Sequence, residues 1–234
     1  MLKTAVGLVA ALCLSACASP YVAKPYDRAS GSVQNIAVID DSVPDKAIAY
    51  EVASVGSNFG LIGALVDAGI QVSRQNAVND ALAGIAFDAE TKLETRIISA
   101  LGSQGYSVKP LDGGVRAKRE FLPTYPAAAE GVDAYLDVAV LTYGYLSAGA
   151  GQPFRPTIVA TVRLVSSKDS SKTLMENYIA YNALAPREGI ITLTPNPQYA
   201  FNNRGDLLAD PKRLAGGIED ALNQVADTVA QLLR

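Results

Sequence analysis

The 234-residue sequence has no histidine and no tryptophan, only two cysteines, and an aromatic content of 7%. Each shortage excludes something. Without histidine there is no Ser-His or Cys-His nucleophilic machinery and no His-based zinc site. Acid–base chemistry is left to carboxylates, lysines and tyrosines. No uninterrupted apolar run reaches the ~20 residues of a membrane-spanning helix. No GxxxxGK[ST] phosphate loop occurs, and Gly149-Ala150-Gly151 lies between two apolar runs with no helix pattern after it. The net charge is −3, so a basic nucleic-acid-binding face is not expected.

The carboxylates are the remaining catalytic candidates. Asp133 and Asp137 stand four apart in VDAYLDVAVL, which reads as a strand. At ~3.3 Å per residue their Cα atoms would lie ~13 Å apart, whereas paired glycosidase carboxyls sit ~5–9.5 Å apart. Strand-end polarity is the expected role of the pair. Asp40 and Asp41 close the run IAVID; adjacent strand residues face opposite sides, which makes them a poor metal pair and suits a turn. No catalytic residue, metal site or cofactor is expected.

Both cysteines lie near the N-terminus. Met1-Leu2-Lys3 carries one positive charge, Thr4 to Leu14 is apolar, and the run closes on Leu14-Ser15-Ala16-Cys17. A charged start followed by a short apolar run is the pattern of a secretory signal. Leu-Ser-Ala-Cys resembles the lipobox of bacterial lipoproteins, in which the cysteine is lipidated and becomes the mature N-terminus. The resemblance implies removal of residues 1–16 as a lipoprotein signal peptide, with Cys13 among them. Cys17 would carry diacylglyceryl and palmitate chains on a thiolate-derived sulfur. Several acyl chains hold a protein on a bilayer stably, at ~0.8 kcal/mol per buried methylene. In that class an Asp after the cysteine marks inner-membrane retention. Ala18 resembles the outer-membrane class, so the expected location is the periplasmic face of the outer membrane.

Ala18 to Ser32, rich in Pro, Ser and Ala, reads as a tether, so 17–32 are expected to be anchor and flexible linker and 33–234 a single periplasmic domain. Ile36 to Ile39 suggest a buried strand. Asp88 offers an N-cap for a helix presenting Leu93, Ile97, Ile98 and Leu101, ended by Gly102 and Gly105. Residues 106–111 form a short strand, and 112–131 an irregular connection. Residues 132–146, 157–165 and 173–182 alternate as a meander of three antiparallel strands. Tyr135, Tyr143 and Tyr145 share one parity. The stretch 184–206 reads as loop. Asp210-Pro211 starts a helix with Leu214, Ile218, Leu222, Val225, Val229 and Leu232 at helical spacing. The expected fold class is therefore α/β: helices packed on a mixed sheet of about five strands, with a C-terminal helix.

This layout resembles the small periplasmic domains of curli-secretion lipoproteins and the N-terminal domain of the Tol-system propeller protein. The matching stretches are IAVID (36–40), LETRIISAL (93–101), YSV (106–108), VDAYLDVAV (132–140) and TVRLVSSKDSSKTLMENY (161–178). These are core patterns, so the resemblance implies fold more than role. The membrane hairpins of the curli-type pore are not evident.

Residues 56–85 are the least ordinary part. Gly56, Gly60, Ala64 and Ala68 recur every four residues, with Gly63 beside them and a polar break at Ser73 to Asn76. On a helix this forms a groove of small residues that another backbone can approach closely. Two readings stay open: a buried helix whose packing offsets ~1 kcal/mol per glycine, or a surface for self-association, a protein partner or the inner leaflet. The C-terminal stripe is likewise core or an oligomer seam, and the tyrosine faces core or a binding face. The expected role is a non-enzymatic assembly or interaction module in envelope maintenance, trafficking or secretion. The alternative is a binder of small ligands or peptidoglycan fragments, using the tyrosine strands and the 184–206 loop.

Overall fold

The computed structural model describes residues 23–29, 31–52, 72–114, 116–126, 130–149, 151–184 and 187–234. Seven strands make one mixed sheet: β1 (Asn35–Ile39), β2 (Ile48–Glu51), β3 (Ser107–Leu111), β4 (Ala134–Ser147), β5 (Phe154–Ser166), β6 (Thr173–Tyr181) and β7 (Ile191–Leu193). The spatial order is β3-β1-β4-β5-β6-β7, and β2 pairs with the far half of β4 on the same edge as β1. Pairs β4–β5 and β5–β6 are antiparallel, as the alternation of the three long runs requires. The other pairs are parallel.

Four helices are described: α1 (Val72–Ala83), α2 (Ala89–Ser103), α3 (Arg204–Ala209) and α4 (Pro211–Leu232). α2 starts where Asp88 accepts the Thr91 amide at 3.1 Å, and Gly105 takes φ +86° just beyond its end. α4 starts on the Asp210 cap with Pro211 in its first turn. Its apolar stripe, Leu214, Ile218, Leu222, Val225, Val229 and Leu232, is buried within the chain against the sheet and α2. That settles the stripe as core. Each such side chain contributes ~1.5–3 kcal/mol on burial. The exposed pairs Lys92–Glu219 and Arg96–Asp227, both at 2.8 Å, line the α2–α4 seam and add little to stability.

Three expectations are corrected. The sheet has seven strands rather than about five, because β2 and β7 fall in stretches without alternation. Both are short: Ile48–Glu51 borrows its pairing from β4, and Ile191–Leu193 from β6. The three tyrosines of β4 do not share a face. The register against β5 shifts between Val140 and Thr142, and the extra residue of a bulge reverses the alternation. Tyr135 therefore faces one side, in the small cluster with Leu122 and Tyr125, while Tyr143 and Tyr145 face the helix-covered core.

The third correction concerns the tether. From Lys24 onward its described part is docked. The Lys24 amide donates to Asn177 Oδ1 at 2.9 Å, and Asn177 Nδ2 returns a bond to the Lys24 carbonyl at 2.8 Å. The Tyr26 amide donates to Leu232 O at 2.7 Å, and its ring is buried. Arg28 lies 4.3 Å over the Tyr106 ring and donates to Gln104 O at 3.1 Å. Prolines, serines and alanines set the composition of this stretch, but one buried tyrosine and one paired asparagine set its conformation.

β2 reaches β4 only because residue 144 is glycine. Its φ is +132°, and a Cβ there would collide with the backbone O and N of Ile48. Gly144→Ala is expected to lose about 2–4 kcal/mol from combined strain and overpacking, read as a lower urea midpoint at unchanged slope. Gly102→Ala, where a Cβ meets open space in α2, is expected to stay level or gain up to ~1 kcal/mol. Equal midpoints for the two variants would contradict the close approach.

Candidate functional site

Cys17, Gly56, Gly60, Gly63, Ala64 and Ala68 lie outside the described residues. α1 begins beyond the small-residue stretch and is fixed to the body from Val78 on. Val78 and Leu82 are buried in the main core. Asn79 accepts from the Ala47 amide at 2.9 Å and donates to the Ala47 carbonyl at 3.0 Å.

The carboxylates within the described residues separate into different roles. Asp133 ties strand ends together, as expected. One oxygen accepts from the amides of Gln34 and Asn35 at 3.0 and 2.8 Å and from Asn35 Nδ2 at 3.0 Å. These bonds hold its pKa below the ordinary value, the Asn35 amide first. Asp137 is not strand-end polarity. It lies inside β4 with 0% exposure. Its Oδ2 accepts from the Leu122 amide at 2.8 Å and from the Tyr125 hydroxyl at 3.0 Å. Its Oδ1 faces Arg116 Nη1 at 3.0 Å, as a contact of charges rather than an aligned hydrogen bond.

Arg116 is the partner that sequence reading missed, because it stands in a stretch without periodicity. It is itself buried and donates to Asp40 O at 3.1 Å, Glu120 O at 2.6 Å and Val138 O at 3.4 Å. Residues 112–114 and 116–126 thus form a strap over the sheet face opposite the helices. Leu122 and Tyr125 pack there on Ala37, Ile39, Tyr135 and Val165. The Tyr125 and Tyr135 rings stack at 5.8 Å, and Arg163 sits 4.2 Å from the centroid of Phe121. Burial, then the neighbouring Asp137, raises the Tyr125 pKa, so its phenol stays protonated. The available signal was Asp137 itself: a charge within a run of buried positions requires a partner.

The second polar cluster sits at the carboxyl end of β1, beside β3 and β4, the position where open α/β sheets place ligands. Asp41 turns the chain at φ +58° and pairs with Lys118. Asp40 Oδ1 accepts the Gly113 amide at 3.1 Å. The amides of Ser42 and Val43 point into this end, and both are taken by Glu90, at 3.0 and 2.6 Å. Amide groups that could cradle an anion are therefore filled by the chain's own carboxylate. Burial raises the Glu90 pKa, while the two amide bonds and Lys118 oppose that shift. Among the described residues no group of three or more His, Cys, Asp or Glu could hold a metal ion.

Two outcomes follow from these environments. Asp137→Ala or Arg116→Ala leaves a buried charge unpaired and should cost about 3–5 kcal/mol, whereas Arg116→Met with Asp137→Leu should recover most of it. Denaturant midpoints of the three variants decide this. For Glu90, a pKa raised on folding means that the native state holds the proton more tightly than the unfolded chain. Its contribution to stability therefore grows as pH falls from neutrality towards 4.5, the ordinary glutamate value, and is lost as pH rises through the folded pKa. Glu90→Gln should remove this component. Urea midpoints measured from pH 7 to pH 4.5 would show a flatter profile than the parent.

No protein-family model matches the sequence, and no curated protein matches it. Among solved structures, a Xanthomonas campestris protein assigned to the DUF330 family is similar at TM-score 0.42 and 12% identity, over 90% of this chain and 89% of that one. A lipoprotein of Neisseria meningitidis is similar at TM-score 0.29 and 19% identity, over 62% of this chain and 80% of that one. At these values neither likeness bears on what this chain does.

Proposed function

We propose that this chain is a lipid-anchored envelope protein, acylated at Cys17, that serves as a non-enzymatic assembly or interaction module on the periplasmic face of the outer membrane. The observation that carries the reading is Leu14-Ser15-Ala16-Cys17 at the end of a short apolar run with one leading lysine. Ala18 favours the outer membrane over the inner. No helix among the described residues is long and apolar enough to cross a membrane, so an anchor at Cys17 would supply the attachment. Support for a non-catalytic role comes from the histidine-free sequence and from engaged carboxylates. Asp133, Asp137 and Glu90 are bound by the chain's own amides, hydroxyl and guanidinium.

The ligand-binding alternative needs accessible tyrosine faces. Tyr135, Tyr143, Tyr145 and Tyr181 are buried in the body, and the Tyr181 hydroxyl is held between the Asn196 amide and Asp220, each at 2.8 Å. The interaction module is therefore the better-supported reading. Its proposed contact surface is the small-residue stretch Gly56, Gly60, Gly63, Ala64 and Ala68, used for a protein partner or for self-association.

The test is expression of the full chain in a Gram-negative host with radiolabelled palmitate. The parent should carry label and a diacylated, N-acylated Cys17 by mass spectrometry. Cys17→Ser should lose the label and leave the membrane fraction. An unacylated parent would contradict the anchor. In acylated protein, Gly60→Leu with Ala64→Leu should change the crosslinked partners obtained from positions 60–72; an unchanged set with an unchanged melting midpoint would remove that surface from the proposal.

A further inference from the structure

The two faces of the sheet are covered in different ways. On the helix side, α2 and α4 have their own backbone ladders and share one large apolar core with the strands. On the other side the strap, residues 112–114 and 116–126, rests on a separate and much smaller cluster, in which Leu122 and Tyr125 pack on Ala37, Ile39, Tyr135 and Val165. The sheet lies between the two clusters, so losing the contacts of the smaller one leaves those of the larger in place. Among the described residues no backbone–backbone hydrogen bond joins the strap to the sheet. The bonds that fix its amides to the body come from side chains: the Gly113 amide donates to Asp40 Oδ1 at 3.1 Å, and the Leu122 amide to Asp137 Oδ2 at 2.8 Å.

Closure of the strap also leaves polar atoms short of partners. Arg116 Nε, Arg119 Nε and Asp137 Oδ1 are buried without a hydrogen bond, and each loses the bonds that water would give it. Arg119 sits at φ +73°, a strained backbone for a residue with a Cβ. Against these costs stands the Arg116–Asp137 contact at 3.0 Å, with Arg116 also reaching Asp40 O, Glu120 O and Val138 O. Segments with few buried apolar contacts and few backbone bonds to their surroundings are the ones that open locally. The strap meets both conditions, and one charge pair closes it.

We propose that the strap is a lid: it opens as one unit when the Arg116–Asp137 contact breaks, while the strands and the helix-side core stay folded, and the face beneath it takes a cationic, apolar segment of a protein partner. The open face presents Ala37, Ile39, Tyr135 and Val165, with Asp137 beside Ile39 on the next strand. Arg116 leaves with the strap, so a partner that covers this face again must bring a cation to the carboxylate. The segment that fits carries one arginine or lysine among apolar and aromatic residues, which is the pattern of Arg116, Leu122 and Tyr125 in the strap itself. This surface is additional to the glycine-rich stretch and does not depend on an anchor at Cys17.

Hydrogen exchange of the full chain, read by mass spectrometry on peptic fragments, tests the lid. Fragments within 116–126 should exchange about tenfold or more faster than fragments of β1 and β4. In Arg116→Ala the exchange of 116–126 should quicken further, while α4 and β5 keep their protection. If 116–126 in the parent exchanges only as fast as the slowest β4 amides, the strap opens only with the whole domain and the lid is overturned. The partner chemistry is tested on Arg116→Ala with a synthetic peptide of residues 116–126 at millimolar concentration. That peptide should raise the denaturation midpoint of the variant, and the same peptide with Arg116→Glu should not. Midpoints that do not differ between the two peptides overturn the cationic partner and leave the lid to the exchange result.

Discussion

The fold depends on one buried ion pair. A sheet with helices on one face has a second face to cover, and here that cover is a strap, residues 112–114 and 116–126, without regular structure in its described part. Leu122 and Tyr125 supply its apolar contact, but two side chains are a small footing for a segment of that length. Arg116 and Asp137 do the positioning. One guanidinium binds the end of β1, the strap itself and the middle of β4. One carboxylate binds the strap at Leu122 and Tyr125. Desolvating both charges is costly, and mutual attraction alone seldom repays it. The additional amide, hydroxyl and carbonyl partners reduce that cost and require the strap to lie in one place.

The same arrangement explains what could be read from the sequence. Periodic elements were legible: the Asp88 cap and α2, the Asp210-Pro211 start of α4, and the three long strands all follow from side-chain repeats and caps. Each buries a continuous stripe that the alternation exposes to view. The missing features are those whose conformation is set by a distant partner. β2 and β7 are too short to show a period and exist because β4 and β6 offer unpaired edges. The parity of Tyr143 and Tyr145 depended on a bulge that no residue type announces. Arg116 and Glu90 were invisible because their roles are fixed by contacts 21 and 48 positions away in sequence. The anchor proposed at Cys17 rests on a different kind of signal, four consecutive residues that need no tertiary context.

Polar groups of this domain are largely satisfied from within. At the carboxyl end of β1, where an α/β sheet most readily accepts an anion, Glu90 takes the amides of Ser42 and Val43. At the start of β4, Asp133 takes those of Gln34 and Asn35. In each case a side chain supplies the negative charge that a ligand would otherwise bring. Both sets of amides are thus engaged by the chain's own carboxylates. The assembly role proposed above places its contact surface elsewhere, in the glycine-rich stretch.

The entry and exit of the chain are joined mechanically. The Tyr26 amide is bonded to Leu232 O, and the Tyr106 hydroxyl donates to Leu233 O one residue further on. Arg28 packs on that same Tyr106 ring and caps α2 at Gln104. A pull on the lead segment therefore passes into the last turns of α2 and α4 together. It passes into β6 as well, where Lys24 and Asn177 exchange two hydrogen bonds. Among the described residues α4 is the longest helix, and it runs the depth of the core. Load applied at Tyr26 is thus spread over its whole buried stripe, and an anchor nine residues upstream would hold the domain as one body rather than by a peelable edge.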